Sequence, residues 1–176
     1  MANEGAPGAD ETPDEIPQAA TDRLNDTSAY QRCFACGARN PDGLRLVFRQ
    51  EGGAIVTEFT PDLRFQGFPG VVHGGILATV LDETLSRMAT AQGRWMMTAR
   101  LEVRYRAAAP LGQTLRVSAR TLAARARMLT AAGEIRLADD PATVIATAEG
   151  TFMALPPGYE QEAVERFPDL TGFFEL

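Results

Sequence analysis

The chain has 176 residues, no lysine and a net charge of −6, with 45% hydrophobic and 23% charged residues. This length suits one domain with a buried core. Two cysteines and one histidine exclude a disulfide framework and a zinc site with two histidines in one chain, and no apolar run approaches the roughly 18 residues of a membrane-spanning helix. The negative charge lies at the ends. Residues 1–28 carry seven acids against Arg23, and residues 157–176 carry five against Arg166, whereas residues 29–156 carry eleven acids and fifteen arginines. A mildly basic, all-arginine middle fits an anionic small molecule or simply a solvated surface. No basic run with interleaved aromatics points to nucleic acid.

Residues 1–28, rich in Ala, Asp, Glu, Pro and Thr, are expected to be a disordered acidic tail. They lack the apolar stretch of a secretory signal, so a cytoplasmic protein is expected. A patterned domain follows over residues 29–156. Leu44, Leu46 and Phe48 alternate as a first strand, Gly52-Gly53 makes a hairpin turn, and residues 55–59 read as a second strand. A Pro/Gly loop over residues 61–72 leads to helical periodicity over residues 74–91, with Leu77, Leu81, Leu85 and Met88 on one stripe and Glu83 with Arg87 as an i,i+4 pair. Met97, Ala99, Leu101, Val103 and Tyr105 then alternate as one apolar strand face. Strands over about 113–125, 127–138 and 142–154 complete the domain. One long helix amid antiparallel strands is an α+β pattern. Pro156-Pro157-Gly158 ends the domain, leaving residues 157–176 as a C-terminal appendage.

Chemistry concentrates between Arg64 and Glu83. A glycine-rich loop runs straight into a helix, whose first N–H groups are unpaired and electropositive. Gly74 and Gly75 let a ligand approach that backbone, where it acts either as an oxyanion site or as a plain helix cap. Asp82 lies about two and a half turns in, beside Ala78, Leu85, Ser86 and Ala89. A carboxylate among such small groups is either a site residue or a hydrogen-bonded surface acid. Glu83 points about 100° away, and its pairing with Arg87 accounts for it. His73 is a cap or a base. No G-x-S-x-G elbow surrounds Ser28, Ser86 or Ser118, and without lysine there is no phosphate-binding Walker loop. Cys33-x-x-Cys36 is too small for a metal site without His73, a carboxylate or a second subunit, so these read as buried structural cysteines and no metal or cofactor is expected.

The His73-Gly74-Gly75 triplet, with Asp82 nine residues after the histidine, resembles the hotdog-fold acyl-CoA thioesterases of the phenylacetate-pathway type. The strand from Thr98 to Tyr105, the turn Pro110-Leu111-Gly112, and the Cys33-Phe-Ala-Cys-Gly37 and Asn40-Pro-Asp-Gly-Leu44 stretches are similar too. The resemblance covers residues 32–155. It implies a hotdog fold, a long helix wrapped by an antiparallel sheet, assembled as a homodimer or homotetramer, and hydrolysis of a coenzyme A thioester. It assigns Gly74 N–H to the thioester carbonyl, Asp82 as general base or nucleophile, and Thr98 to positioning water or the carboxylate. His73 and Gly75 would contact substrate. The site would be shared between two subunits. Among the domain's arginines, Arg104 and Arg106 are put forward for coenzyme A phosphates, with Arg94, Arg125 and Arg127 further candidates. The chain departs from the family where an asparagine often precedes the histidine by six residues. That position is Gly67, and Gln66 beside it is the amide expected to replace it. Ala107 and Ala108 stand where the family often has Arg-Pro. A hotdog protein that binds an acyl ligand without hydrolysing it is the alternative reading.

Overall fold

The computed structural model describes residues 24–25 and 31–170. Six strands form one antiparallel sheet: β1 (Phe48–Glu51), β2 (Ala54–Phe59), β3 (Met96–Tyr105), β4 (Leu115–Arg125), β5 (Met128–Leu137) and β6 (Val144–Ala154), ordered β1-β2-β4-β5-β6-β3. One long helix, α1 (Gly74–Thr90), packs against β2 to β6. This is the α+β arrangement expected from the sequence. A short exposed helix, α2 (Tyr159–Arg166), follows the sheet.

The predicted stripe of α1 is its buried face. Leu77, Leu81, Leu85 and Met88 lie against Ile55, Val117, Leu129, Ile135, Ile145 and Phe152 in one continuous core. Leu85 lies over two glycines in neighbouring strands. A Cβ at Gly133 of β5 would lie 2.7 Å from Ser118 O and 3.3 Å from Leu85 Cδ1, and one at Gly150 of β6 would lie 2.8 Å from Phe152 and 3.5 Å from Leu85 Cδ2. The two glycines thus make room first for the neighbouring strand and Phe152, with Leu85 packed over them.

Three local readings change in the structure. The ladder begins at Phe48, not Leu44, because Arg45 is left-handed (φ 53°) and breaks the extended run. Leu44 and Leu46 remain buried, but their amides bond Phe34 O (2.8 Å) and Ala35 O (2.9 Å). In β3 the pairing shifts between Thr98 and Arg100, leaving Ala99 as the extra residue of a bulge. Thr98 opposes the buried Phe152, and Leu101 opposes Gly150, so Thr98 joins the Leu101 and Val103 face toward α1, while Met97 turns out and is 44% exposed. Finally, two residues of the segment expected to be disordered are docked. Leu24 is fully buried, and the Asn25 side-chain amide pairs with both backbone groups of Phe48 (Nδ2 donating to O and Oδ1 accepting from N, each 2.8 Å), capping the β1 edge at that residue. The rest of residues 1–28, and residues 171–176, lie outside the described residues.

Leu24→Ala should therefore cost about 2–5 kcal/mol of unfolding free energy, the usual range for emptying a buried leucine site. Asn25→Ala should cost about 1–3 kcal/mol through the polar groups it leaves unmet. Urea unfolding checks both. Unchanged midpoints would mean that this segment does not hold β1.

Candidate active site

The loop before α1 is bound on both sides. Gln66 bridges Val72, Val71 bridges Pro110, and His73 N donates to Phe65 O at 2.8 Å. His73 is the N-cap of α1 in an extended conformation, and its Nδ1 accepts from Gly75 N at 3.0 Å. The ring proton therefore sits on Nε2. Ile76 N and Leu77 N both reach His73 O. Among the described residues, no acceptor meets Gly74 N–H, which is left as the open donor at the electropositive helix start. A Cβ on Gly75 would crowd His73 Nδ1 at 3.0 Å, whereas one on Gly74 would make only an ordinary contact, 3.4 Å from the Tyr105 ring. The Tyr105 hydroxyl donates to Gly74 O at 2.8 Å, holding the Gly74–Gly75 peptide by its carbonyl.

Two turns further along, Asp82 is half-buried and accepts a 2.8 Å bond from Thr98 Oγ1. The bulge at Ala99 makes this contact possible. Burial pushes the Asp82 carboxyl above the ordinary range, the Thr98 hydrogen bond pulls it back, and the Glu83 charge adds to the rise. A carboxylate with a raised pKa and an orienting hydroxyl is suited to proton abstraction.

Eight residues of helix rise separate Gly74 from Asp82, about 12 Å along the axis. A single reacting carbonyl lies within about 3 Å of both its nucleophile and its oxyanion donor, so within one protomer these groups serve different positions. The other expected site residues also separate. Gln66 Oε1 accepts from Gly70 N at 2.9 Å, tying its amide into the loop. A Cβ on Gly67 would sit 3.0 Å from His73 Cα, which leaves no room for a side chain there. His73 and Gly75, expected to contact substrate, bond each other and hold the helix start. Arg104 and Arg106 lie on the sheet face turned away from α1. They border an open groove of about 580 Å³ in which Glu102, Glu134 and Glu149 balance them and Arg120, and Arg104 is paired with Glu102 at 2.9 Å. Arg94 is spent on the β4–β5 turn, donating to Arg125 O and to Ala126 O (3.0 Å).

A second polar cluster lies behind the helix. Cys33 Sγ, Cys36 Sγ and a Glu83 carboxylate oxygen lie within 4.8 Å of one another, and the positive charge among them is Arg87. Its guanidinium reaches Cys36 Sγ at 2.9 Å and Glu83 Oε1 at 2.6 Å, and it stacks 4.9 Å from the Phe48 ring centroid. The sequence reading found the Glu83–Arg87 pair but neither the burial of Arg87 nor its sulfur partner 51 residues away. Tyr105 was also missed as a site residue, since nothing in the spacing links it to Gly74.

Residues 69–144 match the family model of the thioesterase superfamily. Over those residues the chain is similar to that superfamily. A solved thioesterase superfamily protein, RHA08564, superposes with a TM-score of 0.65 at 30% identity, covering 76% of this chain and 65% of its own. The PaaI protein of the E. coli phenylacetic acid degradation operon superposes at 0.59, with 17% identity, over 64% of this chain and 81% of its own. These likenesses establish the hotdog fold. The rat acyl-coenzyme A thioesterase THEM4 is 34% identical over 112 residues, 64% of this chain and 48% of that protein. The chain thus spans about half the length of the curated relatives it matches. The matched region contains Gly74, Asp82 and Thr98, and excludes Cys33 and Cys36.

Thr98→Val removes the hydrogen bond that favours the ionised carboxylate while nearly keeping the side-chain shape. Carbon-13 titration of the Asp82 carboxyl should then show its pKa above the already raised wild-type value. A fall, or no change, would mean that Thr98 does not act on Asp82.

Proposed function

We propose that this chain hydrolyses acyl-coenzyme A thioesters to a free acid and coenzyme A. The observation that carries the reading is the desolvated Asp82 carboxylate, oriented by Thr98, on the same helix whose first N–H is left open at Gly74. The acyl-coenzyme A substrate is supported by the names of the curated relatives.

In this mechanism the thioester oxygen lies against Gly74 N–H, where the amide and the helix start stabilise the charge that develops on it. His73 caps the second amide and leaves this one open, and Tyr105 holds the next peptide, Gly74–Gly75, by its carbonyl. Asp82 removes a proton from water as the water attacks the carbonyl carbon, or attacks that carbon itself and is released by a later water. Collapse of the tetrahedral species breaks the carbon–sulfur bond, and the coenzyme leaves as its thiolate.

The 12 Å span on α1 favours a site built from Gly74 of one protomer and Asp82 of another. We therefore assign a homodimer, or a dimer of such dimers. Its natural seam is β3, a ten-residue edge strand with one ladder side unpaired among the described residues. Gln66 then serves the loop, and Arg104 and Arg106 remain candidates for coenzyme A phosphates reached from a neighbouring protomer. Among the described residues no helix is long and apolar enough to cross a membrane. The free thiols of Cys33 and Cys36 support a cytoplasmic setting. A second reading, acyl-ligand binding without turnover, draws on Gly67, which leaves no side-chain amide beside His73 to orient a water.

A thiol-release assay across a panel of acyl-coenzyme A esters tests the proposal. Asp82→Asn should lower turnover about 100-fold or more, the scale of a lost general base. Its thermal midpoint above neutral pH should equal or exceed that of the wild type. The folded-state pKa of Asp82 is raised, so ionised Asp82 costs stability at pH values above that pKa, and the neutral amide avoids the cost. Glu83→Gln should act on stability through Arg87, with turnover little changed. Normal hydrolysis by Asp82→Asn would remove Asp82 from the chemistry, and no hydrolysis by the wild type of any ester that it binds favours the binding-protein reading.

Gly74→Pro deletes one donor where helices accept proline; the extended His73 before it suits a following proline. Either variant alone should be inactive. Random mixing of Gly74→Pro with Asp82→Asn protomers should restore about a quarter of wild-type activity, since half the dimers are mixed and one of their two sites is intact. No recovery after confirmed subunit exchange would place both groups' work within one chain.

A further inference from the structure

We propose that Cys33 and Cys36 form a redox-active dithiol, a modification site at which a small-molecule disulfide such as oxidised glutathione is reduced while the two cysteines close into a disulfide. This site is separate from the proposed hydrolytic chemistry, since Glu83, which borders it, projects about 100° around the helix from Asp82.

The geometry is built for the pair. Residues 33–37 form a single turn closed by Gly37 N to Cys33 O at 3.0 Å. A Cβ at Gly37 would lie 2.5 Å from both Cys33 N and Gln31 O, so the turn is this tight only with glycine there. The first and fourth residues of such a turn have Cα atoms within about 7 Å, the reach of a disulfide. The two sulfurs already lie within 4.8 Å of each other. Access differs between them: Cys33 is half-buried at the rim and Cys36 is buried behind it. That asymmetry suits an attacking sulfur and a resolving one.

Arg87 decides against a shared metal ion. Its guanidinium, 3% exposed, already lies against Cys36 Sγ and Glu83 and is braced on Phe48. A cation entering among these ligands would have to expel a buried one. The fixed positive charge beside Cys36 Sγ offsets the nearby Glu83 charge, which raises both thiols. The two cysteines differ in acidity. The hydrogen bond from Cys36 is the largest influence bringing Cys33 down to about 6, whereas Cys36, as the donor and in its buried position, is pushed up.

The exchange balances as follows. Cys33 thiolate attacks one sulfur of oxidised glutathione. The glutathione S–S bond breaks, a Cys33–glutathione disulfide forms, and the first glutathione thiolate leaves and takes a proton from water. Cys36 then gives its proton to solvent and attacks Cys33 Sγ. The Cys33–Cys36 bond forms as the second glutathione thiolate leaves and is protonated. Two electrons pass from the cysteine pair to glutathione disulfide, yielding two reduced glutathiones.

The full chain, equilibrated in glutathione buffers of graded redox ratio, is read by intact mass and free-thiol titration. Both thiols should disappear together, with the loss of two hydrogens and no adduct, and dithiothreitol should restore them. Cys36→Ser keeps a hydrogen-bond donor but cannot resolve, so it should stop at a stable glutathione adduct on Cys33. In the wild type, the rate of Cys33 alkylation should rise with pH around a midpoint near 6. Three results would each overturn the proposal: both thiols persisting in excess oxidised glutathione, wild type collecting only adducts, or wild type holding one equivalent of zinc that leaves when the thiols are alkylated. The wild-type measurements stand alone if a variant fails to fold.

Discussion

The close seating of Leu85 over Gly133 and Gly150 sets the position of everything else on α1. With that side chain lodged between β5 and β6, the rotation of the helix about its axis is fixed. Asp82, nearly one turn earlier, then faces β3, and Glu83 and Arg87 face the turn that carries the two cysteines. The same contact excludes water along the apolar row and leaves Asp82 half-covered. Its raised proton affinity comes first from that partial burial, with the Glu83 charge adding to it.

The helix start follows a different logic. Anion sites at helix N-termini need donors without partners, yet an uncapped helix frays. The chain resolves this by placing a ring nitrogen on the second amide and leaving the first alone. His73 is thereby a structural neighbour of the proposed chemistry, and Tyr105 holds the carbonyl of the same Gly74–Gly75 peptide whose N–H the His73 ring caps. Two elements, β3 and the loop after β2, converge on the peptide that follows the open N–H.

Much of this was legible in the residues. The period of Leu77, Leu81, Leu85 and Met88 marks α1 within a residue of its end, and glycine pairs and Asp-Pro mark the turns. What escaped has physical reasons. A period-2 count assumes one residue per pleat, so the extra Ala99 inverts the faces before it: Met97 was expected inside, and Thr98 takes that side instead. Alternation also reports burial, not hydrogen bonding, so Leu44 and Leu46 are inside as expected while Arg45 keeps them out of the ladder. Leu24 is a single large apolar residue in an acidic stretch, too sparse a signal to oppose the composition around it. The joining of Arg87 to Cys36 depends on tertiary packing alone. For the site, the positions of Gly74 and Asp82 were legible, and so was the contact to Thr98 through the family likeness. The spending of the Gln66 amide on Gly70 and of the His73 ring on Gly75 was not, because each is settled by the path of one loop.

The distance between Gly74 and Asp82 along a rigid helix also bears on how such a protein behaves when scarce. In the proposed shared site each protomer carries two halves of different centres, so the isolated chain would hold every chemical group and no complete centre. Below the concentration at which protomers pair, the number of complete centres falls with the square of the amount of free chain. Dilution alone then acts as an off state, reached with no inhibitor and no change of shape.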